Sequence, residues 1–183
     1  MFFNLFKKRE LTVEEVFHKY YDIICNLIQN SIIKCDFDFE LYPAMFIVAD
    51  ISIKEMINRD IVNERILSLF FEKFLDTDKE ELFSQRTDIY CDILANHKLR
   101  CECFAGNPAI RKYLLTEDIF IVAAVLGDFL VNPECANNYN TTTYSKFKIN
   151  ELEDFGEIIM LPIIDTFSKF SIDIKKVAIS LQR

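Results

Sequence analysis

The 183 residues carry three glycines, a net charge of -8 and a hydrophobic fraction of 51%. Glycine supplies the positive-φ turns and close backbone approaches that hairpins and phosphate-cradling loops use, and an ordinary chain has ~7% of it. The deficit argues against a glycine-rich nucleotide loop and a many-hairpin sheet; the acidic balance, with no basic run longer than Lys7-Lys8-Arg9, argues against a nucleic-acid-binding face.

The chain opens with Phe2, Phe3, Leu5 and Phe6 ahead of three basic residues. A secretory leader has the reverse order and a longer apolar stretch. The six cysteines are therefore expected to be reduced, in a cytoplasm of bacterial type. The apolar start is too short for stable membrane anchoring by itself.

Apolar residues at helical spacing, Val13, Val16, Phe17, Tyr20, Ile24, Leu27 and Ile28, predict a first helix over 12 to about 33. Thr12 and Glu15 read as a capping box at its start. Glu15 and His18 also have the Glu-x-x-His spacing of di-iron bundles. The matching second pair is missing, because Leu94 stands three residues before His97. His18 is instead expected in a surface charge cluster with Glu14 and Asp22.

Residues 35–40 read as a connector, and Pro43 suits the first turn of a second helix reaching about Asn58. This helix is apolar almost all round through Ile53, the pattern of a central, buried helix. Asp60 is expected to cap a third helix that runs through Phe74. A fourth follows the turn at 76–78 and ends near His97, with Leu82, Phe83, Ile89, Tyr90, Ile93 and Leu94 inward. Lys79, Glu80, Glu81, Arg86 and Asp88 make up its solvated face.

Residues 98–107 have no clear period, and the alternation of Leu99, Cys101 and Cys103 with Arg100 and Glu102 suggests a short strand. Pro108 opens a fifth helix ending near Thr116. A sixth, very apolar helix reaches Val131; it contains Asp128 and is too short to cross a bilayer, so no membrane insertion is expected. A polar connector fills 133–148. A seventh helix is predicted from Asn150 to about Lys169, kinked at Pro162, and a terminal one from Ile172 to Leu181. The expected fold is all-α: one domain over 1–183, an orthogonal or bundle-like array of about seven to eight helices, with a sub-boundary near 100–107 as the alternative.

Cys91, His97, Cys101 and Cys103 are weak zinc candidates, since paired Cys-x-x-Cys turns are missing. Cysteine is expected here as a small hydrophobe, and neither metal nor cofactor is expected. Asp50, Asp128 and Asp165 stand in apolar helices. Asp50 and Asp128 are expected in buried structural pairs with Arg86, Arg100 or a helix N-terminus, and Asp165 exposed in an ion pair one turn on.

The leading functional expectation is a non-catalytic interaction module, of immunity or adaptor type by analogy of class alone. Its contact surface would comprise Asn138, Tyr139 and Tyr144 in the polar connector together with acidic helix faces. It would bind another protein. A homodimer is compatible with the 18 phenylalanines and a mean hydropathy of +0.11, which otherwise mark a Phe-rich core. The alternative is a ligand-binding or enzymatic bundle, with a Phe-lined pocket and Asp50 or Asp128 at its polar end.

Overall fold

A computed structural model describes residues 11–29, 38–72, 80–95, 118–131 and 161–182. These hold α1 (Val13–Gln29), α2 (Asp38–Asn58), α3 (Arg65–Phe71), α4 (Glu80–Ala95), α5 (Asp118–Val131) and α6 (Leu161–Leu181). The described residues form helices and no strand, in agreement with the all-α expectation. The strand expected within 98–107, the helix over 108–116 and the connector at 133–148 lie outside the described residues.

The centre is α2, as its all-round apolar pattern predicts. Leu41, Ala44, Met45, Val48, Ala49 and Ile53 are fully buried on one side of the axis, and Pro43, Ile47 and Asp50 are buried on the opposite side. Against it pack α1, α4, α5 and α6, with α3 at its C-terminal end. The alanines permit close approach on some sides, while larger residues fill the spaces elsewhere. Three bonds order α2 and α6. Ser52 meets Ser171, Glu55 meets Lys175, and the Asn63 N–H beyond the end of α2 donates to Gln182 Oε1. Both helices advance in the same direction through these contacts, so they run parallel.

Aromatic side chains fill the spaces between helices. Phe170 of α6 meets Phe17 and Tyr20 of α1 edge-on, at centroid separations of 5.9 and 5.5 Å. Tyr42 joins them from α2, 4.7 Å from Phe17. On another side, Phe46 lies 4.6 Å from Phe71 and 4.9 Å from Phe83, tying α2 to α3 and α4. Such edge and tilted pairs place the positive ring rim toward a negative ring face.

The capping box at α1 is present. The Thr12 N–H donates to Glu15 Oε2 at 2.9 Å, and the Glu15 N–H donates back to Thr12 Oγ1 at 3.2 Å. Three expectations about boundaries are corrected. Residues 38–40 belong to α2 rather than to a connector, which puts Pro43 inside the helix instead of in its first turn. Its ring removes one N–H from the ladder, and the proline is itself buried.

The expected break between Lys169 and Ile172 does not occur, because α6 is continuous from 161 to 181. Its polar residues fold their hydroxyls back onto the preceding turn: Thr166 Oγ1 donates to the Pro162 carbonyl and Ser168 Oγ to the Ile164 carbonyl. The Asn150-to-160 part of the expected seventh helix lies outside the described residues.

Asp60 ends α2 rather than starting α3. Its φ of 55° is left-handed. The Ile61 N–H reaches the Met56 carbonyl and the Asp60 N–H the Ile57 carbonyl, both at 2.9 Å. This pairing is a Schellman stop, a position where glycine is favoured and aspartate is a tolerated substitute. The third helix then starts at Arg65, after a turn in which the Ile66 N–H donates to Asn63 O. Asp60→Gly relieves the left-handed strain and is expected to stabilise the fold by about 0.5–1 kcal/mol in urea denaturation, whereas Asp60→Ala is expected to destabilise it. A destabilised glycine variant would contradict this account of the turn.

Candidate functional site

Candidate chemistry among the described residues lies in the charged groups enclosed by the helices. The most deeply enclosed is the pair formed by Glu40 of α2 and Arg86 of α4. Arg86 Nε donates to Glu40 Oε1 at 3.0 Å, and both side chains are more than nine-tenths buried. Tyr90, one turn beyond Arg86, is also buried, with its ring edge-on to Phe129 of α5. Glu40 Oε2 is buried with no hydrogen-bond partner among the described residues. Burial pushes the Glu40 carboxyl above the usual carboxylate range, and the Arg86 guanidinium only partly offsets this.

This arrangement corrects the expectation for Arg86, which was placed on the solvated face of α4. Its helical phase puts it one turn before Tyr90, on the side that faces α2. The expected pairing of Asp50 with arginine is corrected as well. Asp50 is buried on α2, but its Oδ2 accepts from Lys54 Nζ at 2.7 Å, one helical turn on. The lysine reaches from solvent along the helix surface, which a long flexible side chain does readily. Glu40, absent from the sequence-based candidates, stood in a segment read as connector. Its partner is 46 positions away, and no local spacing signals such a pair.

Cys91 of α4 is an exposed free thiol. Desolvation of its sulfur and the Asp50 carboxylate together push the thiol up, and Lys54 works the other way. An activated thiolate needs the opposite shift. The other three zinc candidates, His97, Cys101 and Cys103, lie outside the described residues, as do Asn138, Tyr139 and Tyr144. Among the described residues no three metal-capable side chains come together. Asp128 falls within α5, but its side chain lies outside what is described. His18 is exposed on α1.

A third group of charges joins α1 to α6. Asp173 accepts from Tyr20 Oη at 2.8 Å, Lys19 Nζ at 3.1 Å and Lys176 Nζ at 2.7 Å. Burial alone would raise the Asp173 carboxyl; the bonds from Lys176, Tyr20 and Lys19 outweigh it and hold the carboxyl at about 2. Ion pairs of Glu55 with Lys175 and Arg59, and of Asp165 with Lys169, lie toward solvent. The Asp165 pair is the one expected from its position one turn before Lys169.

A different surface is left over on α6. Leu161, Ile172 and Ile179 are 57, 54 and 40% exposed. Together with Asp165, Lys169 and Lys176 they occupy the exposed positions 161, 165, 169, 172, 176 and 179. Successive steps of four, four, three, four and three put all six on one stripe of the helix. Of the seven exposed large hydrophobics among the described residues, four belong to α6.

No family model, curated protein or solved structure matches this chain.

Two predictions test the enclosed charges. Arg86→Met with Glu40 intact leaves a buried carboxyl without its cation and is expected to cost about 3–5 kcal/mol in urea denaturation. The double change Glu40→Leu/Arg86→Met is expected to recover most of that loss; a double variant as unstable as the single one would show that the pair's polarity itself is needed. Asp173→Asn is expected to lower stability at pH 7 by about 1–2 kcal/mol after allowance for solvent screening. Because the folded carboxyl titrates at about 2, below its ordinary 3.8, its contribution is full above 3.8 and fades as pH falls toward 2. Thermal melts of the two proteins should therefore converge in acid, and a constant gap down to pH 2 would refute the assignment.

Proposed function

We propose that this chain is a non-catalytic, cytoplasmic protein-interaction module that presents the outer stripe of α6 to another polypeptide. The observation that carries the reading is the placement of aliphatic side chains in the open on a helix whose other faces are packed. Leu161, Ile172 and Ile179 repeat along one line of α6, while Phe167, Phe170 and Ile174 of the same helix are fully buried. Leaving three large aliphatics in water forgoes their burial, about 1.5–3 kcal/mol for each when fully enclosed. A partner that covers them recovers this. The enclosed carboxylates lend support from the other direction: Asp50 is taken up by Lys54, and Asp173 by three donors.

The polar connector carrying Asn138, Tyr139 and Tyr144 remains part of the proposed contact surface on sequence grounds alone. The second reading, a ligand-binding or enzymatic bundle, has one observation in its favour, the buried Glu40 Oε2. A ligand bearing a hydrogen-bond donor would satisfy that oxygen. Asp50 is less suited to the role, with a lysine already on its carboxylate.

Native mass spectrometry of the protein isolated from its host tests the main reading. A second polypeptide is expected on the wild-type chain and its loss is expected in Ile172→Lys, with the melting temperature unchanged because the site is exposed. Retention of the same polypeptide by Ile172→Lys would remove α6 from the interaction. An added small mass in place of a polypeptide, lost in Glu40→Gln, would favour the bundle with a ligand.

A further inference from the structure

The stripe on α6 is complementary to itself when a second α6 is laid against it in the opposite direction. Its six positions, in chain order, are Leu161, Asp165, Lys169, Ile172, Lys176 and Ile179. A two-fold axis crossing the helix between Lys169 and Ile172 brings the first to the last and the second to the fifth. Leu161 then faces Ile179 of the second copy, and Asp165 faces Lys176 of the second copy. At the centre, Lys169 faces Ile172 of the second copy. An aliphatic residue meets an aliphatic residue, and a carboxylate meets an ammonium, that of Lys176, which also donates to Asp173 of its own chain. The lysine stem covers the isoleucine while its head stays on Asp165, where it already lies. Each contact occurs twice, as a closed two-fold interface requires.

Parallel self-pairing has no such match. It sets Asp165 against Asp165, Lys169 against Lys169 and Lys176 against Lys176, three like-charge contacts along one seam. The steps of three and four keep the stripe in line over six positions, which suits packing at a shallow crossing angle. Leu161, Ile172 and Ile179 are the most exposed aliphatics of α6, ahead of its terminal Leu181.

We infer that the partner covering this stripe is a second copy of the chain, paired through α6 in antiparallel register. The inference rests on the reading of α6 as an interaction surface and adds the partner and the register. A single helix pair buries an area at the low end for specific interfaces, so the dimer is a weak and reversible one.

Sedimentation equilibrium of the full chain from about 5 to about 500 µM tests this. The wild type is expected to pass from monomer to dimer in that range. Asp165→Lys leaves the Asp173 cluster intact and opposes two lysines across the seam, so it is expected to weaken association at least ~10-fold. Lys176→Asp is expected to weaken it similarly; because it also removes a donor from Asp173, its melting temperature is measured alongside. The double change Asp165→Lys/Lys176→Asp exchanges the charges across the seam and should restore the wild-type constant to within about threefold. A chain that stays monomeric throughout overturns the inference. A dimer indifferent to the single changes, or a double variant that melts like the wild type and is not restored, overturns it too, since pairing then uses another surface or register. If the chain is monomeric but Ile172→Lys still loses a host polypeptide, the interaction reading stands and self-pairing alone falls.

Discussion

Everything else in the fold follows from the burial of α2 on nearly every side. A helix in that position satisfies its backbone internally, but each polar side chain on it must find a partner without water. Ser52 illustrates the solution. Its one hydroxyl proton goes to the Val48 carbonyl at 2.6 Å, so the 2.7 Å contact with Ser171 is made by the Ser171 proton. The two small residues let α2 and α6 approach closely and lock their parallel register at one level. Glu40 meets the same constraint with an arginine from α4, and Asp50 with a lysine reaching in from the helix surface. The neighbours of α2 are thus fixed by apolar area and aligned by a few polar bonds between them.

What the sequence makes legible is what is settled within one or two turns. The capping box at Thr12 and Glu15 spans three residues and forms as read. The all-round apolar pattern of α2 places it at the centre, and the fully buried Phe17, Phe70, Phe129, Phe167 and Phe170 agree with a Phe-rich core. Asp60 shows where local reading goes astray. Aspartate serves both at helix starts and in left-handed stops, and the residues on either side do not tell the two apart. The glycine deficit itself held the clue: with three glycines in the chain, some helix ends must recruit another residue for the left-handed position. The break misplaced near Lys169 has a related cause. Serines and threonines look like interruptions in a sequence, yet in α6 their hydroxyls bond the preceding turn and the helix carries on.

The candidate site was less legible because its pairs are distant in sequence. A carboxylate in an apolar helix announces only that it needs a partner, and which cation arrives is decided by packing. Asp50 takes the lysine one turn on. Arg86, charged and set among acidic neighbours on α4, read as solvent-facing until the rotation of α4 against α2 turned it to Glu40. The Glu40 carboxyl is raised by enclosure and holds its arginine, and the Asp173 carboxyl is lowered by donors that join two helices. The Glu40 shift traces to enclosure by the packed helices and the Asp173 shift to contacts that hold two helices together, so each has a structural cause.

The outer stripe of α6 belongs to a different kind of constraint. Helix α6 packs against α1, α2 and α5, and those contacts leave one line of its circumference facing out. Because the inner faces are held by Phe170, Ser171 and Ile174 in their buried positions, the outer residues have fixed spacing before any partner arrives. Pre-organisation of this sort lowers the ordering cost of association, so a narrow stripe can bind where a mobile segment of equal area would not. It also makes specificity a matter of register. In the proposed self-pairing, one carboxylate and two ammonium groups set between three aliphatics suit one antiparallel alignment and oppose the parallel one.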